Sequence, residues 1–204
     1  FKYLGFFNIP NNTFINLLLP IFCIVVFINA FNFTDGINGL ATLLGLSWLL
    51  YLGIKFNFLI DIYFILFLFL IFFLILNFSN KLYLGDSGNY IISLIIGYLL
   101  IVLNKKFVFS LYVEEILLML LIPGLDLVRL FFIRIRNKKN PLKGDKNHLH
   151  HYLLRKMSLI KSLAVYLLLV NLPIYIFLFF EDSLIFLLIL SSSVYFYIIK
   201  KTQP

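Results

Sequence analysis

The chain has 204 residues, 62% of them hydrophobic and only 13% charged, with a formal net charge of +8. A soluble domain carries about a quarter charged residues, so this chain could not cover itself with polar surface in water. The single cysteine, Cys23, excludes an internal disulfide.

Taken in chain order, the sequence opens on Phe1 rather than Met, and residues 1–12 lack the basic start and small-residue cleavage site of a signal peptide. The expectation is therefore a piece of a longer chain. Seven apolar runs follow, at 13–30, 39–55, 62–78, 89–103, 116–133, 161–180 and 183–199. A membrane-spanning helix needs about 17–25 such residues. The runs are continuously apolar without alternation, which favours helices over a barrel. The expected fold class is all-α: a polytopic transmembrane helix bundle of about seven spans. It forms a single integral membrane domain over 1–204, with a polar loop at 134–160.

Lys and Arg placement orients the bundle. If sides alternate after each span, only Lys2, Lys55, Lys105 and Lys106 of the 17 basic residues fall opposite the others. The rich side is expected to be cytoplasmic. Asp61, Glu114, Glu115, Glu181 and Asp182 fall on the outer side, and Asp35, Asp86, Asp126 and Asp145 on the basic one.

Three polar stretches interrupt the apolar pattern on that side. "NAFNFTDGINGLA", 29–41, spaces Asn29, Asn32 and Asp35 for one helical face before Gly36 and Gly39 break the helix. A helix C-cap and turn would explain one amide but not the whole set, and polar groups in membrane segments are expensive. "NFSNKLYLGDSGNY", 77–90, sets Asp86 between glycines just ahead of an apolar run. Asp86 there suits either a bound cation or a plain helix N-cap. The third stretch pairs Asp126 with Arg129 at i,i+3 and continues into the basic cluster from Arg134 to Lys139. Anionic lipid headgroups account for Arg136, Lys138 and Lys139.

All three histidines, His148, His150 and His151, sit in "KGDKNHLHHYLL". Structural zinc sites favour four ligands with Cys–His pairs, and no cysteine is near. On a continuous helix His148 and His151 would share a face, with His150 and His151 pointing apart. Asp145 could join them as a further zinc ligand, yet lying among Lys143, Lys146 and Arg155 the histidines suit phosphate oxygens better. Together the stretches describe one pocket at the bilayer surface: carboxylates for Mg²⁺, basic groups for phosphates and amides for a polar ligand. A transporter would instead gather its polar groups near the midplane.

The ordered set "NAFNFTDGINGLA", "NFSNKLYLGDSGNY" and "GDKNHLHH" resembles the polyprenyl-phosphate N-acetylhexosamine-1-phosphate transferases of glycosyltransferase family 4, over about residues 27–154. The resemblance implies attack by the phosphate of undecaprenyl phosphate on the β-phosphorus of a UDP-N-acetylhexosamine, with release of UMP. It implies Mg²⁺ as cofactor, with Mn²⁺ as the alternative, and Asp86 as the metal carboxylate. Asp35, Asp86, His148, His150 and His151 correspond to catalytic positions. Asn29, Asn32, Asn38, Tyr83 and Arg134 correspond to substrate-binding positions, Tyr83 as an aromatic against the uracil; Asp126 matches a family position without a clear role.

The implied setting is the bacterial inner membrane with the site facing the cytoplasm, a cell-envelope glycan pathway, no nucleic-acid partner and a homodimer as one assembly. "HLHH" with Tyr152 resembles the simple-sugar branch, so UDP-GlcNAc or a relative is the expected donor. The family pattern D-G-x-D is here Asp35-Gly36-Ile37-Asn38, and Asn89 stands where a serine is usual. Ten or eleven spans and an earlier adjacent Asp pair are also usual, and no such pair occurs here. The isolated chain is accordingly expected to be inactive, with a non-catalytic remnant or assembly partner as the competing reading.

Overall fold

A computed structural model describes residues 13–56, 61–106, 111–140 and 146–202. Lys143 and Asp145 lie outside the described residues. The elements are α1 (Thr13–Asn32), α2 (Leu40–Phe56), α3 (Asp61–Phe78), α4 (Gly85–Lys106), α5 (Val113–Arg136), α6 (Leu149–Lys156), α7 (Leu159–Phe179) and α8 (Leu184–Thr202), with a 3-10 turn at Glu181–Ser183. The fold is all-α, with no strand element among the described residues.

Each expected apolar run is a helix. Four of them are long and apolar enough to cross a membrane by length and composition: those starting at Gly85, Val113, Leu159 and Glu181. Three more are apolar but shorter as described: Ile21–Asn32, Leu40–Phe56 and Tyr63–Phe78. Their outward faces stay apolar, with Phe64, Phe72, Ile75, Phe186 and Ile189 all exposed. Hydrocarbon rather than water is the solvent such a surface suits.

Helix α2 is the core element. Leu44, Trp48, Leu49 and Leu52 are all fully buried along it. It contacts α3, α4 and α7. Trp48 lies 5.3 Å from the Phe27 ring and 5.6 Å from the Phe31 ring, which locks α1 against α2. Tilted aromatic pairs at such separations add to the burial of their large apolar surfaces. Helix α1 packs on α4, and α5 packs on α7 and α8.

Two boundaries differ from expectation. Helix α4 begins at Gly85, so Asp86 and Ser87 form its first turn instead of preceding it. A carboxylate is favourable there, because it faces the positive end of the helix dipole. Helix α5 runs for 24 residues. At about 1.5 Å per residue it outreaches the ~30 Å hydrocarbon core. Its last turns, with Arg134 and Arg136, continue past the apolar zone, and the short helix α6 packs on α7 and α8. Helix α6 buries Leu149, His150, Tyr152 and Leu153 and exposes Leu154, Arg155 and Lys156. At the opposite end of the bundle, Lys55 closing α2 pairs with Glu115 opening α5.

Candidate functional site

The three polar stretches meet at one end of the bundle, and the turn between α1 and α2 joins them. Its backbone is held by its own short hydrogen bonds, including Asp35 N–H to Asn32 O (3.1 Å) and Gly36 N–H to Thr34 O (2.9 Å). Gly39 has φ +86°, which an L side chain rarely adopts. Its N–H donates to Asn77 Oδ1 (2.6 Å), and Asn77 donates on to Leu82 O (2.8 Å). The α1–α2 turn is thereby tied to the α3–α4 turn.

On one side of the α1–α2 turn lies a carboxylate lip. Asp35 accepts a hydrogen bond from Asn89 Nδ2 (2.7 Å), and Asn89 also donates to Gly85 O (2.9 Å). Asn32 donates to Asp86 Oδ1 over a long 3.4 Å. Burial pushes the Asp35 carboxyl above its ordinary value; the Asn89 bond opposes this, the Asp86 charge adds to it, and the Gly85 N–H opposes it. Asp86 itself is exposed. Two neighbouring carboxylates with amide oxygens form a hard, oxygen-rich donor set. Mg²⁺ commonly uses one or two carboxylates and completes its shell with water and substrate phosphate, so this set fits it. No group of three or more His, Cys, Asp or Glu residues suited to a metal occurs among the described residues.

On the other side stands the histidine helix. A Cβ at position 36 would collide with the His150 ring, so only glycine lets α6 seat this closely. His150 is 1% exposed, and its Nε2 is buried without a hydrogen-bond partner among the described residues. Burial lowers its pKa to about 3, with the neighbouring His151 and His148 adding to the effect and Asp126 opposing it. His150 is therefore neutral at pH 7. His148 is stacked between Phe33 (5.6 Å) and His150 (5.4 Å). Its Nδ1 meets Asp126 Oδ2 at 2.8 Å.

The expected pairing of the histidines is corrected here. His148 is the N-cap of α6, in extended backbone, and not a helical residue. It therefore stacks on His150 rather than sharing a face with His151, and the His150 and His151 rings lie 4.4 Å apart rather than pointing away from each other. His148 and His150 are buried, and His151 is half-buried. His151 lines a cleft of about 350 Å³ with Gly36, Lys146, Leu154 and Arg155. Burial lowers the His151 pKa, and the charges of His148, Lys146 and Arg155 lower it further. As a neutral ring it still donates one hydrogen bond, beside two fixed cations.

The other expected residues divide. Asn32 and Asp35 come together with Asp86 and Asn89, although Asp35 lies beyond the end of α1. Asn29 is exposed and donates back to Val25 O (2.7 Å). Asn38 Nδ2 donates to Asn80 Oδ1 (2.6 Å), fastening the same two turns. Tyr83 is 67% exposed next to the lip, its ring free for stacking. Arg134 is buried near the end of α5. Sequence reasoning missed Asp126 as the anchor of α6, Asn89 as the partner of Asp35, and the close approach that Gly36 permits. The i,i+3 pair Asp126–Arg129 does form, at 2.8 Å, and a buried carboxylate beside an arginine was the signal for the first.

The sequence profile of glycosyl transferase family 4 matches residues 1–104, which hold Asp35 and Asp86 but end before the histidine helix. An undecaprenyl-phosphate alpha-N-acetylglucosaminyl 1-phosphate transferase of Escherichia coli K12 is 26% identical over 149 residues, covering 67% of this chain and 40% of that protein. A decaprenyl-phosphate N-acetylglucosaminephosphotransferase of Mycolicibacterium smegmatis is 32% identical over 165 residues, covering 69% of this chain and 41% of that protein. The chain thus spans about 40% of the length of the curated relatives it matches. No solved structure matches it significantly.

Proposed function

The chain belongs to glycosyl transferase family 4, and on that premise we propose that its protein transfers N-acetylhexosamine 1-phosphate from a UDP-sugar to a polyprenyl phosphate. A phosphate oxygen of the lipid forms the new bond to the β-phosphorus. The bond from that phosphorus to the UMP oxygen breaks, and UMP leaves with the electron pair. The relatives' names support the sugar phosphate and the polyprenyl acceptor. UDP-GlcNAc is the donor this reading favours, and a cell-envelope glycan the pathway.

One observation carries the reading. A single turn presents Asp35 to Asp86 on one side, while the next residue, Gly36, borders the cationic cleft of Lys146, His151 and Arg155. A nucleotide diphosphate needs both: a cation between its oxygens and fixed donors around them. Asp86 and Asp35 would hold Mg²⁺, which when bound neutralises phosphate charge. Lys146 and Arg155 attract the diphosphate, His151 donates to it, and exposed Tyr83 offers a face for the base. Asn89 restrains Asp35, and Asn38 keeps the turn in register. The positive-inside bias supports a bacterial cytoplasmic membrane with this end facing the cytoplasm.

The test is UMP formation by membranes containing the full-length protein to which this chain belongs, supplied with UDP-GlcNAc, undecaprenyl phosphate and Mg²⁺. The expected result is Mg²⁺-dependent release that Asp86→Asn abolishes. Release that continues unchanged after chelation and in Asp86→Asn would sink the assignment.

A further inference from the structure

Tyr195 lies in α8, outside every motif of the sequence. Its ring is fully buried, yet its hydroxyl reaches the anchor of the histidine helix. It donates to Asp126 Oδ1 (2.8 Å) and accepts from Arg129 Nε (2.8 Å). Arg129 also donates to Asp126 Oδ1 (2.8 Å) and to Asn147 O (2.6 Å), one residue before His148. The Leu149 N–H meets both carboxylate oxygens, at 3.2 and 3.1 Å. His148 Nδ1 completes the set on Oδ2.

A carboxylate offers about four lone-pair sites, and here the donors fill them. The division between its oxygens matters. Tyr195 and Arg129 both take Oδ1, which leaves Oδ2 for His148. An ionised carboxylate, held so by Arg129, only accepts, so His148 must carry its proton on Nδ1. In the neutral ring Nε2 is then left to accept a hydrogen bond or a proton. Simple packing of α6 on α8 would require none of this, because Tyr195 could hold its place as an apolar ring.

We propose that Tyr195 is a positioning residue for the histidine helix: with Arg129 it turns the Asp126 carboxylate so that Oδ2 fixes His148 as the Nδ1–H tautomer and seats the N-terminus of α6 beside the cationic cleft. The use of that cleft for a nucleotide rests on the function proposed above; the tautomer does not.

The experiment uses the chain labelled with ¹⁵N-histidine in lipid nanodiscs, with the His148 signals assigned through His148→Gln. The parent is expected to show a single His148 tautomer protonated on Nδ1. Tyr195→Phe removes the hydroxyl and keeps the ring. It is expected to give mixed tautomers at unchanged helical content, with affinity for UMP reduced on the order of tenfold. Arg129→Lys keeps the charge and loses the bond to Tyr195, and should shift the tautomer in the same way; it decides the matter if Tyr195→Phe does not fold. An unchanged Nδ1–H signal in both variants, or an Nε2–H tautomer in the parent, would overturn the proposal. If the tautomer responds while the parent binds no UMP, the positioning role stands and the nucleotide reading falls.

Discussion

Two aspartates at the same end of the bundle are built in opposite ways. Asp126 is 3% exposed and receives hydrogen bonds from Arg129, Tyr195, His148 and Leu149. Asp86 is exposed and receives one long bond from Asn32. A saturated buried carboxylate has no capacity left for a ligand; it holds its neighbours in place. A carboxylate left open at a helix N-terminus, near a second one, repels its neighbour until a cation arrives. The same residue type thus serves as the clamp in one place and, in the function proposed above, as the site in the other. The α1–α2 turn touches both regions, packing Gly36 and Phe33 on the histidine helix and Asp35 on the lip.

The sharpest way to break this contrast is Asp126→Ala. It strands buried donors on Arg129, Tyr195 and His148, so the expected cost is about 3–5 kcal/mol. Hydrogen exchange in α6 should rise accordingly, and near-parent protection would mean that the clamp is not what holds the helix. Gly36→Ala comes next. The new methyl meets the His150 ring, and overpacking of this kind costs about 1–3 kcal/mol. The double variant Gly36→Ala/His150→Ala should recover part of that loss in thermal unfolding. Strict additivity of the two substitutions would argue against the contact.

Acidification gives a smaller, graded effect. The His150 pKa is near 3 in the fold against an ordinary 6.5. The unfolded chain therefore binds the extra proton first, and stability falls as pH drops from 6.5 towards 3. The slope from this group is at most about 1.4 kcal/mol per pH unit. Exchange of the α6 amides, corrected for intrinsic rates, should show it between pH 6.5 and 5, and His150→Phe should flatten it. The smallest stability effect belongs to Asp86→Asn, expected within about 0.5 kcal/mol because little in the fold depends on that carboxylate. A large drop in melting temperature would place Asp86 among the structural residues after all.

The helices were legible in the sequence because their apolar runs are long and uninterrupted; the polar end of the bundle was legible because amides and carboxylates are costly next to a membrane. Boundaries slipped where polar residues are good helix starters, as at Gly85, Asp86 and Ser87. The arrangement within the site was harder to read. The bond from Asn38 to Asn80, which comes from a turn 42 residues away, has no local signal. His148 and His151 read as sharing a helical face, yet His148 caps the helix, and His150 is buried against a glycine. Tyr195 lies 69 residues from Asp126 with no local pattern to announce it. Periodicity reports the faces of single helices; these contacts come from how several helices and their turns converge.

The most direct test of the open-lip account is binding of UMP to the chain in nanodiscs, with and without Mg²⁺, in the parent and in Asp86→Asn. The account predicts that Mg²⁺ tightens UMP binding in the parent, that Asp86→Asn removes this coupling, and that the weaker Mg²⁺-independent binding through Lys146, His151 and Arg155 survives. Equal Mg²⁺ enhancement in parent and variant would contradict it.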